Sequence, residues 1–119
     1  MSSNAIYQLK PTAMVFWHKH YGIPWAEYTK CARFYGEAEK LGVEATAVRD
    51  LSLGRKGGLI MFFASGRAEY MMTLDRGEIS LAVKDGLHGD RWRGIYEGAA
   101  APTKDWDTMI GHMRKLEGK

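Results

Sequence analysis

The stretch "LIMFFASGRAEYMMTLDRGEISLAVKD", residues 59–85, contains three apolar runs in close succession. The first run, LIMFFAS (59–65), is continuously apolar, as is typical of a central strand covered on one or both faces. The next two runs, AEYMMTLD (68–75) and EISLAVKD (78–85), alternate apolar and polar side chains, and this period of two predicts strands with one buried face. The stretch therefore predicts three consecutive strands of one sheet.

Short glycine-containing segments separate these runs and predict how the strands connect. Gly-Arg (66–67) and Arg-Gly (76–77) have hairpin spacing, and GRKGG (54–58) supplies turn residues before the first run. EATAVRDLSL (44–53) and RWRGIY (91–96) predict further strands on either side, so the central region is an antiparallel meander of about four to six strands.

Two amphipathic segments flank the meander and predict helices at 24–41 and 104–117. Pro24 suits the start of the first helix, Gly42 suits the residue just past its end, and Thr103 is a good N-cap for the second. The apolar stripe of the second helix comprises Trp106, Ile110, Met113 and Leu116. That of the first comprises Trp25, Tyr28, Cys31, Ala32, Phe34, Tyr35, Ala38 and Leu41.

This order of elements predicts one α+β domain over residues 1–119, in which both helices pack on one face of the sheet. Residues 1–12 are expected to form an irregular arm, and AMVFW (13–17) a short strand. The net charge of +3 and the pI near 9.0 make the protein mildly basic, with both signs interspersed. A single cysteine, no apolar run of membrane-spanning length and no secretory signal pattern indicate a cytoplasmic protein with no membrane partner.

Two candidate chemistries rest on histidines and one glutamate. His18-x-His20 and His88-x-Asp90 have the spacing of strand neighbours, and imidazoles with a carboxylate form an acceptable metal ligand set. Glu39 falls within the apolar arc of the first helix, where desolvation would raise its pKa. A small metal-dependent or acid-base enzyme using His18, His20, His88 and Glu39 is thus the alternative hypothesis.

Weaker signals point to two other chemistries. Cys31 lies mid-helix on the apolar face, which is typical of a buried, unreactive thiol. GRKGG (54–58) resembles a phosphate cradle in composition, but it lacks the full P-loop pattern and leads into a strand. We therefore assign no catalytic residue, no metal ligand and no cofactor from the sequence.

Aromatic and cationic residues alternate in FWHKHYGIPW (16–25) and HGDRWRGIY (88–96), a mixture that favours contacts with proteins or nucleic acids. Phe16, Trp17 and Trp25 are expected to serve packing, with Trp17 and Trp25 in the core or at the seam between sheet and helix. Arg91 and Arg93 are expected to point away from Trp92, since neighbours on a strand face opposite sides. The predicted partner-binding residues are Arg55, Lys56, Arg91, Trp92, Arg93, His18, Lys19 and His20.

The sequence thus favours a small cytosolic accessory protein that engages a protein or ribonucleoprotein partner through a basic-aromatic surface. An inhibitor of the phage or plasmid type falls within this class, and contact with a nucleic-acid backbone is compatible with it. Self-assembly through a sheet edge is a further hypothesis, and Met71 and Thr73 on the second face of their strand would suit a homodimer contact.

Overall fold

A computed structural model describes residues 23–50, 58–86 and 89–119. It shows the predicted α+β architecture, a meander of five strands between two helices. The arm predicted at 1–12 and the strand predicted at 13–17 lie outside the described residues. The elements are α1 (Trp25–Lys40), β1 (Glu44–Asp50), β2 (Gly58–Ala64), β3 (Glu69–Asp75), β4 (Glu78–Lys84), β5 (Arg93–Ala99) and α2 (Thr103–Leu116).

The strands lie in sequence order, β1-β2-β3-β4-β5, and each pairs antiparallel with the next. Both short connections predicted within 59–85 are hairpins. In the β3–β4 turn Arg76 and Gly77 adopt φ values of 50° and 82°. Two consecutive left-handed residues form a type I′ turn, whose twist matches that of the flanking strands.

One face of the sheet forms the core, because the strand side chains on that face are apolar at every second position. Leu59, Met61 and Phe63 of β2 are buried, and the matching positions of β3 and β4 continue the layer. Those positions are occupied by Tyr70, Met72, Leu74, Ile79, Leu81 and Val83.

Both helices cover this face. In α1, the Phe34 ring meets the edge of Phe63 at 5.6 Å between centroids and Trp106 of α2 at 6.0 Å. An exposed ion pair between Arg33 and Asp107 also joins the two helices. The buried residues of α1 are Tyr28, Cys31, Phe34, Tyr35 and Ala38, and those of α2 are Trp106, Met109, Ile110 and Met113.

Three sequence expectations about the helices need correction. Trp25 does not fill the core: it is the first residue of α1, is 53% exposed and stacks on Tyr28. Thr103 is not the N-cap of α2, because the helix begins at Thr103 and Pro102 precedes it in an extended conformation. Met109 belongs to the buried stripe, whereas Leu116 is only half-buried.

The end of α2 is fixed to the sheet by a buried carboxylate. Glu117 is 6% exposed, and its Oε2 accepts hydrogen bonds from the Tyr70 hydroxyl at 2.6 Å and from the Ser65 hydroxyl at 2.8 Å. Ser65 Oγ also accepts backbone N–H bonds within the β2–β3 turn, from residues 67 and 68. The Lys119 ammonium donates to the Leu41 carbonyl at 2.7 Å, so the chain after α2 touches both the sheet and α1.

The start of α2 is fixed to β5 in a similar way. Asp105 accepts a hydrogen bond from the Tyr96 hydroxyl at 2.6 Å and another from the Ala99 backbone N–H at 3.1 Å. These bonds stabilise the ionised carboxylate and lower the pKa of Asp105. The Trp106 indole N–H donates to the Ala100 carbonyl at 2.8 Å. Hydrogen bonds at both ends therefore set the position of α2.

Replacing Gly58 with alanine should destabilise the β2–β3 pair. A Cβ atom at Gly58 would lie 1.9 Å from the Leu74 carbonyl oxygen, so the two backbones would have to separate. We expect Gly58→Ala to lower the free energy of unfolding by about 2–3 kcal/mol, as overpacking of a rigid site does. Urea denaturation measures this loss. Gly66→Ala is the matched control, because a Cβ there meets nothing within 4 Å; equal losses would contradict the close approach.

Replacing Tyr70 with phenylalanine should change how stability depends on alkaline pH. Burial, together with the hydrogen bond to the Glu117 carboxylate, raises the pKa of Tyr70 well above its usual value. Above about pH 10 the unfolded chain loses a phenolic proton that the folded chain retains, so stability falls as the pH rises. We expect Tyr70→Phe to cost about 1–3 kcal/mol at pH 7, since it removes a bond to a charged group, and to flatten the alkaline decline.

Urea denaturation of both proteins from pH 7 to pH 11 tests this expectation. Burial also raises the pKa values of Tyr28 and Tyr35, so both residues contribute to the loss of stability of the wild-type protein at alkaline pH. They are present in both proteins, so the difference in stability between wild type and Tyr70→Phe reports on Tyr70. Parallel stability curves for the two proteins would show that the Tyr70 proton does not contribute.

Candidate binding surface

The face of the sheet opposite the helices, here called the open face, carries a band of half-buried apolar side chains. Ile60 and Phe62 of β2, Met71 of β3 and Ala82 of β4 lie on it. The register places Phe62 beside Met71 and Met71 beside Ala82, so the band runs across three neighbouring strands. The same alternation that fills the core produces this second, partly exposed apolar surface.

An aromatic-cationic group, called the Trp92 cluster below, lies over this band. It consists of Arg49, Phe62, Lys84 and Trp92, contributed by β1, β2, β4 and the residue before β5. The Trp92 ring lies 6.2 Å from the Phe62 ring, centroid to centroid, and is 36% exposed. Trp92 therefore packs onto the open face and still presents part of its ring to the solvent.

Two cations lie over the rings of the cluster. Lys84 Nζ is 4.9 Å from the centre of the Trp92 ring, and the Arg49 guanidinium is 5.7 Å from that of Phe62. Cation–π contacts of this kind contribute about 0.5–1 kcal/mol at exposed sites. They help to hold the two aromatic side chains in place.

The three predicted residues around Trp92 have different surroundings. Arg91 and Trp92 are both exposed. Arg93 lies opposite Val83, on the face that the helices cover, and its guanidinium pairs with Asp85 at 2.8 Å. The expectation that Arg93 points away from Trp92 agrees with this placement, because β5 begins at Arg93 and the alternation turns that side chain away from the open face. Arg91 is exposed, whereas Arg93 is held by an internal ion pair, and the role of either residue in binding stays a prediction.

The other predicted contact residues lie outside the described residues. They are Arg55, Lys56, His18, Lys19 and His20, and the same holds for His88 of the alternative metal site. Their role in binding stays a prediction.

Carboxylates occupy the opposite end of the open face. Asp75 and Glu78 lie opposite each other in the register of the β3–β4 hairpin. Glu97 of β5 lies opposite Ser80 of β4. Thr73 and Ser80 share a shallow open depression with these carboxylates. Along β4 and β5 the open face therefore changes from cationic and aromatic at the Lys84 end to acidic at the Glu78 end.

Glu39 and Asp90, two residues of the catalytic and metal hypotheses, lie among the described residues. Glu39 is exposed at the end of α1, as expected for a flexible side chain in a last helical turn. Asp90 is exposed and lies 3.8 Å from the Lys84 ammonium. Within residues 23–50, 58–86 and 89–119, no group of three or more potential metal ligands converges. The buried Tyr70 and Glu117 form a hydrogen-bonded pair that is enclosed by the protein.

The edges of the sheet are less suited to binding than its open face. In β1 the register shifts between Ala45 and Ala47, and the pairing of β5 with β4 shifts between Leu81 and Ala82. Bulges of this kind twist an edge strand and hinder the addition of another strand. The open face is therefore the better candidate for a contact surface.

Sequence reasoning identified Trp92 and Arg91 but missed Arg49, Phe62 and Lys84. A signal for two of them was present, because Phe62 and Lys84 occupy the positions between the buried residues of their strands. The contacts of Phe62 and Lys84 with Trp92 depend on the order of the strands and on the face of the sheet against which Trp92 packs.

Comparisons of the chain with protein-family models, with curated proteins and with solved structures found no match. Among the described residues, no helix is long and apolar enough to span a membrane. The functional argument therefore rests on the geometry of the surface itself.

Cys31 should be inert towards thiol reagents in the folded protein. The side chain is fully buried in α1, and burial raises the pKa of the thiol to about 12. Because the thiolate is the reactive form, we expect negligible modification by a chromogenic disulfide reagent at pH 8 in buffer. Full modification is expected in urea, which provides the control. Rapid stoichiometric labelling of the folded protein would show that Cys31 is accessible.

Proposed function

We propose that the protein is a binding protein that engages a protein partner through its open face, with the Trp92 cluster as the main contact. The observation that carries this proposal is the partly exposed Trp92 ring, packed on Phe62 with the Lys84 ammonium above it. Tryptophan and arginine dominate the binding energy of protein interfaces, and Arg91 lies exposed beside Trp92.

The preorganisation of the cluster supports this role. A side chain that is already held in place loses less conformational entropy when a partner binds, and this cost is about 0.5–1.5 kcal/mol for a flexible side chain. Trp92 contacts the Phe62 ring and has the Lys84 ammonium over its own ring. The ring can therefore contribute its apolar area to an interface at a reduced cost.

The charge of the open face favours a protein partner over a nucleic acid. Arg49 and Lys84 supply cations from the strands, and the register places more carboxylates than cations on the same face. A phosphate backbone would be repelled by most of that surface. The facing carboxylates are Glu44, Glu69, Asp75, Glu78 and Glu97. Where the partner is a ribonucleoprotein, its protein component is the part we expect to meet this face.

The proposal also covers the compartment in which the protein acts and the result of its binding. The single buried thiol of Cys31 is compatible with a reducing compartment, and we place the binding in the cytoplasm. Covering a partner's surface is also the way in which small inhibitors act, so the proposal includes an inhibitory accessory role such as phages and plasmids encode.

Replacing Trp92 with alanine should weaken partner binding without unfolding the protein. We expect a partner retained from a native-host lysate by the wild-type chain to bind Trp92→Ala at least about tenfold more weakly, as for an interface residue of central importance. Trp25→Ala is the matched control, because Trp25 is the more exposed tryptophan and lies on α1, away from the open face. Affinity of the purified partner for each variant, with circular dichroism to confirm folding, is the measurement.

Two outcomes would contradict the proposal. Equal binding by the wild-type chain and Trp92→Ala would show that the open face is not the contact surface. If single-stranded RNA quenches Trp92 fluorescence at physiological salt while no protein partner depends on Trp92, the chain binds nucleic acid instead.

A further inference from the structure

The open face carries more carboxylates than cations, but its positions on β4 have a charge pattern that complements itself. On β4 the open-face residues run from Glu78 through Ser80 and Ala82 to Lys84, so an acid and a cation mark the two ends of one strand. The two charges are separated by six residue steps, or roughly 20 Å. Such a strand matches a second copy of itself laid in the opposite direction.

We propose that the open face binds a second copy of this chain across a two-fold axis that runs between the two sheets, perpendicular to the strands. Such an axis lays β4 of one copy antiparallel over β4 of the other, which brings Lys84 of each copy to Glu78 of its partner. Both contacts form at once, because the two surfaces of a two-fold interface are identical. The inference rests on the proposed function only in that both require the open face to be a binding surface.

The apolar band fits the same arrangement. The axis that superimposes Lys84 on Glu78 places Phe62 of β2, with the Trp92 ring packed on it, over Ile60 of the partner's β2. It also places Met71 of β3 over the partner's Thr73. Two sheets that pack face to face lie about 10 Å apart, and their inner side chains fill the space between them. Phe62, Ile60 and Met71 are half-buried in the single chain, and the second copy would remove their remaining exposed surface from water.

The local charges around these contacts also bear on the arrangement. The Lys84 side chain is 22% exposed and its ammonium lies 3.8 Å from the exposed Asp90, a pair that contributes little. Glu69 lies opposite Lys84 in the register of β3 and β4. The axis also brings Glu69 near Asp75 of the other copy, which is unfavourable. Arg76 lies 3.4 Å from Asp75 and reduces that repulsion.

A charge exchange tests the inference in the full-length chain. We expect the wild-type protein to show a concentration-dependent dimer in sedimentation equilibrium. Lys84→Glu and Glu78→Lys should each weaken dimerisation about tenfold or more, because each places like charges together at both contacts. Lys115→Glu, on the exposed side of α2, makes the same charge change away from the sheet and should leave dimerisation unchanged.

Mixing the two weakened variants provides the decisive measurement. In a mixed pair, the new carboxylate at position 84 of one chain meets the new ammonium at position 78 of the other. At the second contact the unchanged Glu78 of the first chain meets the unchanged Lys84 of the second, so both contacts become attractive. We expect the equimolar mixture and the double variant Lys84→Glu/Glu78→Lys to recover the wild-type dimer. Circular dichroism confirms that each variant is folded.

Several outcomes would overturn the inference, and they can be separated from failure of the proposed function. A wild-type chain that is monomeric at every soluble concentration, or a dimer unaffected by either single change, rules out this arrangement. A mixture that fails to recover the dimer does the same. Binding of a different protein that depends on Trp92 but not on the Lys84–Glu78 exchange would leave the proposed function in place, with that protein rather than a second copy on the open face.

Discussion

Phe34 is the side chain at which the sheet and both helices meet, and the division of the molecule into two faces depends on its contacts. Its ring touches Phe63 of β2 and Trp106 of α2, so α1 is held against the sheet and against the other helix at once. Because the hydrogen bonds of Asp105 and Glu117 hold both ends of α2 on the same side, both helices occupy one face of the sheet. The opposite face is therefore left to the strands alone.

The open face shows how one physical rule produces both stability and a surface for contacts. A strand that buries every second residue presents the intervening residues to the other side. In β2 those intervening residues are Ile60 and Phe62, which are more apolar than a solvent-facing surface requires. Arg49 of β1 lies over the Phe62 ring and Lys84 of β4 lies over the Trp92 ring. The apolar side chains of the open face are therefore flanked by charged groups.

Much of the fold followed from local sequence patterns, whereas the contact surface depended on tertiary placement. The hairpins, the strand faces and both helices were predictable because each depends on residues close together in the chain. The exposure of Trp25 was not, since the wheel position of a residue does not reveal whether the sheet extends beneath it. The separation of Arg91 from Arg93 depended on where β5 begins, and the meeting of Phe62, Lys84 and Trp92 depended on long-range packing.

The order of the strands also affects how the chain acquires its structure during synthesis. Every strand pairs with its neighbour in sequence, so the ladders close short loops and can form quickly. The helix that covers much of the sheet, α2, follows all five strands and emerges from the ribosome after them. Until Trp106 and Met109 are made, only α1 is present to cover the core face of the nascent sheet, and apolar surface left exposed in this way makes a chain prone to aggregate.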